Sequence, residues 1–564
     1  MNYRIILDSC EVNLGQRNLF FRGYINYNGK LLYDADAEQE IANLLNDQTP
    51  NDLFNSINGA FRFIYLIENK LYFSIDHFGG YALFYQMEGG NLVLTDNPML
   101  LQGKQNLLDR AVCAVLATGF TLGQDTVFAN ILECMPGTLY HFDLVTGKLE
   151  CKKWFNYFSV NERSLDYTKL SVILHSLFPE TAKGEYTLSL SGGIDSRVLL
   201  GCLLKKEKPF QTYSFGSDLN QDKHIAAKLA SQFGFTHHHH NFTRESCTSY
   251  FNDEMLNRVY QYCTQGRSIP NETDLISSSL LDKDNNIIVK GFGGDWLTGR
   301  YITPALRKIS EPQQMTRYLF DKYFHLTAIS SGTFRNLLWK QFDELMTTKY
   351  YPNHPGLISA EEQWNQHHNE RKYIINTLSC YNAKGFRFYL PFYDRRLMNF
   401  FAKLKFSEKT DQEVYFTYVR KCLFTEKLSP LRELPTLRNN FLTPFEPNVF
   451  DKSKAAIHTI IRYLDAGKIR KRFFLPALSE YADSLMLFNR ELKTTPFLRN
   501  RIGKNYPDVT NVAEKLKLAG CHEAAKHLLW LSKQSTSQIN INGVAFCRFF
   551  LHPEFVKYLN EHVS

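Results

Sequence analysis

The run Ser191-Gly192-Gly193-Ile194-Asp195-Ser196 is the stretch of this 564-residue chain best suited to chemistry. Two glycines let the backbone turn sharply and approach a ligand with no Cβ atom in the way. Their N–H groups, backed by the start of a helix, make a cradle for an anion. Ser191 and Ser196 add hydroxyl donors. Asp195 repels phosphate directly, so it reads as a ligand for Mg²⁺ bridging to phosphate oxygens. The run lacks the Gly-Lys-Ser/Thr ending of a Walker loop, and it is not the dinucleotide-binding glycine fingerprint. No His-Asp partnership can be assigned to Ser191, so phosphate contact is its expected job. Further on, Ile287-Ile288-Val289-Lys290-Gly291-Phe292-Gly293-Gly294-Asp295-Trp296-Leu297-Thr298-Gly299 is again a strand entering a glycine turn with one aspartate.

The elements that must position these turns are legible around them. Strands are expected at 186–190, 210–215 and 286–290, and helices at 197–205 and 222–233. Strands alternating with helices of this length imply a parallel sheet covered on both faces. The first 150 or so residues differ in texture. Short aromatic and β-branched runs, such as Phe61-Arg62-Phe63-Ile64-Tyr65-Leu66, alternate with Asn and Gly turn signals. Helical patterns near 38–47 and 108–118 interrupt them, and a strand is expected over 138–142. A polar connector, 159–164, separates the two textures. From about 370 onward the periodicity is mainly helical.

Composition bounds the function classes. With 44% apolar and 22% charged residues the chain is an ordinary globular one. The net charge of +8, from 65 basic and 57 acidic residues, is spread thinly. It suits anionic small molecules and lacks the concentrated stripe of a nucleic-acid binder. The cluster 467–472 reads as a solvated helix face. No apolar run is long enough for a spanning helix or a secretory signal, so no membrane partner and a cytoplasmic location are expected. Eleven scattered cysteines without a Cys-x-x-Cys read as reduced thiols. Of His237-His238-His239-His240, alternate residues share a strand face, so a structural or solvent-facing role is expected over metal binding.

The first loop resembles the Ser-Gly-Gly-x-Asp-Ser pyrophosphate loop of ATP-pyrophosphatases, and the second turn is similar to that of asparagine synthetases. Leu390-Pro391-Phe392-Tyr393-Asp394 looks like that family's Pro-Phe-Leu-Asp helix start. Phe215-Gly216-Ser217 and His224-Ile225-Ala226 fall where its adenine-side strand and next helix lie. Earlier, Ile57-Asn58-Gly59-Ala60-Phe61, Asp76-His77-Phe78-Gly79-Gly80 and Met135-Pro136-Gly137 look like its glutaminase domain. The resemblance spans about residues 50 to 445.

It implies a two-part α/β protein. Residues 1–158 would form a glutaminase-like, Ntn-type β-rich domain, and residues 159–564 an ATP-pyrophosphatase-type parallel sheet with a helical extension from about 446. ATP and Mg²⁺ are the implied cofactors. Ser191, Gly192, Gly193 and Ser196 would cradle pyrophosphate, and Asp195 and Asp295 would hold the metal. The strand ends at Leu190, Phe215 and Gly291 would line the adenine pocket. The sequence departs from the family in three places. Asn2 stands where the glutaminase needs cysteine, as in lasso-peptide macrolactam and β-lactam synthetases, so that domain reads as a scaffold. Phe292 replaces the family's glutamate. Arg438 is the candidate where a lysine is usual, and it neutralises charge without giving up a proton. The expected function is an ATP-dependent ligase that adenylates a carboxylate for attack by an amine, of a peptide or natural-product tailoring kind. The alternatives are an ammonia-dependent asparagine synthetase and a catalytically impaired nucleotide-binding partner protein. A precursor peptide and its protease are the partners expected of the tailoring kind.

Overall fold

A computed structural model describes residues 3–433, except 8–9, 15–17, 102–105, 158–165, 182–183, 207, 217–220, 242–263, 269–271, 282–285 and 325–331, together with residues 509–533. Asn2, Arg438, the cluster 467–472 and most of the extension from 446 lie outside the described residues.

The first part contains β1 (Tyr3–Leu7), β2 (Cys10–Glu11), β3 (Leu19–Tyr27), β4 (Lys30–Tyr33), β5 (Asn58–Ile67), β6 (Lys70–Ile75), β7 (Phe84–Glu88), β8 (Asn91–Thr95), β9 (Ile131–Glu133), β10 (Thr138–Asp143) and β11 (Leu149–Lys153). They form two sheets, ordered β2-β1-β8-β7-β9 and β11-β10-β6-β5-β3-β4-β12, where β12 is Glu180–Thr181. Period-two alternation builds the layers. Along β5, Phe61 and Phe63 face outward to helices α1 (Asp34–Leu45) and α2 (Pro50–Ser56), meeting Ile41, Leu53 and Phe54. Ile64, with Phe73 and Phe142, faces inward onto Ile5, Leu92 and Leu94 of the other sheet. Helix α3 (Asp109–Thr118) covers that sheet's far side, packing Val112 and Val115 near Phe84 and Ile131. The result is a four-layer helix–sheet–sheet–helix stack. β12, from beyond the polar connector, pairs in parallel with β4 and extends the stack's larger sheet.

The second part is a parallel five-stranded sheet of β13 (Tyr186–Ser189), β14 (Phe210–Gly216), β15 (Thr236–Asn241), β16 (Ile287–Val289) and β17 (Arg387–Tyr389). Its order is β15-β14-β13-β16-β17. Strand order reverses between β13 and β16, and open α/β sheets bind ligands outside such a switch point. Both glycine turns leave the sheet there. Helices α4 (Tyr167–His175), α5 (Ile194–Lys206) and α6 (Gln221–Phe233) pack around the strands. The central strands are buried on both faces, with Leu188, Ile287 and Val289 fully covered, which is why they read as short continuous apolar runs.

A helical layer joins the two parts. Its key stretch is a π-helical segment, Gln366–Ile374, continuing the α-helix Leu357–Asn365. Arg371 and Lys372 on that segment meet Glu133 at the end of β9, at 3.1 and 3.3 Å, and Arg267 is its third cation. The turn at Asp76 docks beside them. Asp76 gathers the N–H groups of Phe61, Phe78, Gly79 and Gly80, and His77 Nε2 lies 2.7 Å from the Tyr393 carbonyl. The helices Val509–Leu518 and His522–Lys533 return to α3, where Asp109 accepts from Glu523 N and Ala524 N and caps the second helix. Among the described residues no helix is long and apolar enough to cross a membrane.

Candidate functional site

β13 delivers Leu190, which is buried and donates its N–H to the Tyr213 carbonyl at 2.8 Å. The loop that follows is folded on its own groups. Ser191 N–H donates to Ser196 Oγ (3.2 Å), and that hydroxyl donates to the Ser191 or Gly193 carbonyl (3.0 and 3.2 Å). Ser196 therefore shapes the loop from the first turn of α5. Gly193 N–H turns back to Ser191 Oγ, and Gly192 N–H donates to Asp222 Oδ1 at 2.5 Å. Asp222, at the start of α6, thus sits where an anion would be cradled. An anion at this position would have to displace the Asp222 carboxylate from Gly192 N–H.

The Asp195 carboxylate reaches across to the second turn, at the residue before Asp295. A Cβ at Gly294 would stand 2.5 Å from the Asp195 Cγ, so the Asp195 carboxylate rests directly on the second turn. Gly293 has φ of +83°, and a Cβ there would strike the Tyr393 ring at 2.6 Å. Glycine is required at 293 for backbone conformation and at 294 for room. Tyr415 Oη donates to Asp195 Oδ1 at 2.9 Å. Asp295 opens the short helix Gly294–Thr298 and pairs loosely with Arg300 at 3.6 Å. Gly291 sits against Asp195 from the other side, its Cβ position 3.4 Å from that of Asp195.

Among the described residues no three acidic, histidine or cysteine side chains form a complete metal-ligand set. Two carboxylates on a glycine-lined turn fit Mg²⁺ all the same, because that ion keeps waters and binds through one or two carboxylates plus substrate phosphates. The chemistry Mg²⁺ supplies when bound is neutralisation of phosphate charge. His237 and His239 share one face of β15, where Thr212 Oγ1 and Ser214 Oγ lie 2.8 Å from their Nδ1 atoms.

Three features were not singled out from sequence. Glu370, on the π-helical segment, accepts from Tyr393 Oη at 2.8 Å. Burial raises its pKa to about 8, Asp295 pushes the same way, and hydrogen bonds from Tyr393 and Tyr301 oppose them. This acid is one hydroxyl away from the glycine turn whose own glutamate is replaced by Phe292. Nothing in His367-His368-Asn369-Glu370-Arg371-Lys372 marks it, since such a polar run reads as surface. Lys290 follows β16 and is buried, with Nζ 2.7 Å from Asp274 Oδ1 and 5.2 and 5.7 Å from the ring centres of half-buried Phe215 and Phe292. Burial favours its neutral form, but Asp274 and Tyr213 outweigh that and hold its pKa above the usual lysine value. Tyr415 is the third, arriving from a helix far along the chain.

Residues 181–434 match the family model described as asparagine synthase. Comparison with curated protein sequences gives no match. Among solved structures, one described as the allosteric regulatory enzyme of purine biosynthesis is 11% identical, with a TM-score of 0.17, over 40% of this chain and 59% of that one. A glutamine phosphoribosylpyrophosphate amidotransferase from B. subtilis, complexed with ADP and GMP, is 11% identical with a TM-score of 0.16, over 49% of this chain and 61% of that one. The matched segment 181–434, a little under half of the chain, carries both glycine turns, Asp195, Asp295 and the Tyr393–Glu370 pair, and this segment is asparagine-synthetase-like, resembling an ATP-dependent ligase.

Proposed function

We propose that the chain adenylates a carboxylate with ATP and passes the acyl group to an amine, forming an amide in the cytoplasm. The carrying observation is the Asp195 carboxylate seated on Gly294, the residue before Asp295. The substrate carboxylate attacks the α-phosphorus of ATP, and the bond to pyrophosphate breaks. The amine then attacks the acyl carbon, AMP leaves, and the amine gives up a proton. Adenylation is needed because a carboxylate oxygen is a poor leaving group and AMP a good one.

The chain's own groups have distinct jobs. The glycines of 192–193 and the start of α5 cradle pyrophosphate, with Asp222 displaced. Asp195 and Asp295 hold Mg²⁺. Leu190, Phe215 and Gly291 line the adenine side, and Arg438 answers charge on the leaving group. Glu370, linked to the turn through Tyr393, is placed to take the proton that Phe292 cannot take. A carboxyl group with a pKa near the operating pH suits that task.

The first domain, 1–158, serves in this reading as an Ntn-type scaffold without glutaminase action, and 159–564 carries the chemistry. Its support is the Asp76 turn, whose His77 ring meets the Tyr393 backbone. An amine already borne by a substrate then replaces glutamine-derived ammonia, which favours a tailoring role with a precursor peptide and its protease as partners. The test is pyrophosphate release from ATP and Mg²⁺ with candidate peptides, beside aspartate plus ammonia. Phe292→Glu separates the two: a large gain with aspartate would overturn the tailoring reading. Glutamate formed from glutamine above the blank would overturn the scaffold reading.

A further inference from the structure

Next to the acidic turn, one lysine is held in a cage of tyrosines. Lys322 lies on the helix Pro312–Tyr323, with Nζ 4.7 Å from the ring centre of Tyr301, 5.0 Å from Tyr323 and 5.5 Å from Tyr318. Glu361 faces them from the helix Leu357–Asn365. It is 1% exposed; neither carboxylate oxygen has a well-formed hydrogen bond, and burial raises its pKa to about 7 against the pull of Lys322 and a contact from Asn365. Its charge is nonetheless felt by Lys322, Tyr318 and Tyr323. Tyr301 follows the second glycine turn and also touches Glu370, so the cage shares a wall with the candidate site. The rim residues Tyr301, Tyr318, Lys322 and Tyr323 are half-buried, while Glu361 on the floor is fully covered.

The electrostatics of this arrangement are one-sided. Aromatic faces attract a cation, and the attraction grows when the cation is desolvated. A buried carboxylate with no hydrogen bond is costly unless a positive group meets it. Lys322 supplies charge through space but donates nothing to Glu361. Burial lowers its own pKa, with the Glu361 charge opposing that. An ammonium group carries three donors on one small centre, the shape that two orphaned oxygens under three rings can satisfy.

We propose that this cage binds the primary ammonium group of the amine substrate, with Lys322 as its internal place-holder. The inference rests on the ligase reading for the identity of that amine as substrate; the cage itself is tested without turnover.

The experiment is calorimetric titration of the nucleotide-free full chain with n-butylammonium chloride, and with n-butanol as the neutral probe. Lys322→Met vacates the cage and should bind butylammonium about tenfold more tightly than the unsubstituted chain, the gain expected from one cation–π contact or two. Lys322→Met with Glu361→Gln should lose that gain, Lys322→Arg should keep the cage filled and show none, and butanol should not bind. Lys322→Gln is the second vacating variant should the methionine form fail to fold. No gain in either vacated form, a gain that survives Glu361→Gln, or equal binding of butanol would overturn the cage. Pyrophosphate release with every carboxylate and amine pair failing, while the titration behaves as expected, would overturn the ligase reading alone.

Discussion

Two groups of buried charge lie on the same π-helical stretch and are arranged in opposite ways. On one side, Glu133 is fully covered and meets three cations, Arg267, Arg371 and Lys372; Arg371 also reaches the Cys134 carbonyl, Lys372 those of Thr121 and Gly123, and Arg267 the Asn376 side chain. On the other, Glu370 is equally covered, meets hydroxyl groups, and faces more negative charge from Asp295. The first arrangement sets its acid against cations and links β9 to the π-helical segment. The second concentrates acid at a turn that fits a cation. Buried acid met by several cations belongs to architecture here, and buried acid met by hydroxyl groups beside a second acid belongs to the candidate site.

The largest expected effect sharpens the second half of that contrast. Asp195→Asn or Asp295→Asn should cut pyrophosphate release by about a hundredfold or more, the scale of losing several kcal/mol of charge stabilisation. Melting temperature should barely move. Full turnover in both variants would sink the metal site. On the architectural side, Glu133→Gln leaves three buried cations without their acid and should cost about 3–5 kcal/mol in chemical denaturation. A loss below about 1 kcal/mol would mean that the cluster is not the joint described.

A pH scan separates the two acids by sign. The three cations around Glu133 outweigh burial and hold its pKa down at about 2, below the ordinary value of 4.5. Its stabilisation is therefore present above about pH 4.5 and lost as pH falls from there through about 2. Burial raises Glu370 to about 8. Its contribution is present below about pH 4.5 and is lost as pH rises through about 8. Glu370→Gln should flatten the alkaline limb of the nucleotide-free chain's stability curve and leave the acid limb alone. An unchanged alkaline limb would contradict the assignment.

Gly294→Ala tests the contact between the turns. Its Cβ meets the Asp195 carboxyl at 2.5 Å, so pyrophosphate release should fall about tenfold, on the scale of a 1 Å displacement at the reacting centre. Gly332→Ala, with nothing within 4 Å of its Cβ, is the control and should do nothing. Smallest of all, Asp222→Asn leaves a neutral group on Gly192 N–H, so ATP should bind a few-fold more tightly in equilibrium dialysis, since neutral hydrogen bonds are about half as strong as charge-assisted ones. Weaker ATP binding would show that Asp222 supports the loop instead of competing for it.

Local pattern alone located the elements that carry the turns. The helix expected over 222–233 spans Gln221–Phe233, and the strand expected over 210–215 spans Phe210–Gly216. The expected strand 286–290 closes at Val289, because Lys290 already belongs to the turn. The glycine turns were readable because their demands are local: a left-handed φ at Gly293 and an anion cradle at a helix start are properties of a few consecutive residues. The stacking of two sheets was readable as alternation, but its closure was not. β12, Glu180–Thr181, lies beyond the polar connector and still pairs with β4, a contact between strands far apart in sequence.

What only the tertiary structure decided is which distant residues share a point. Glu370 and Arg371 are neighbours in a polar run, yet one faces the glycine turn and the other Glu133, because π-helical winding directs consecutive side chains to different partners. Tyr415 reaches Asp195 from a helix on the far side of the chain. Glu361 became a candidate through what its carboxylate lacks, a property of its surroundings and not of its residue type. The sequence by itself determined the two glycine turns, the parallel sheet and the acid in each turn, since those rest on backbone conformation and periodicity. The contact of Asp195 with Gly294, the buried acid behind Tyr393 and the tyrosine cage rest on packing between elements, and packing is settled only when the whole chain closes.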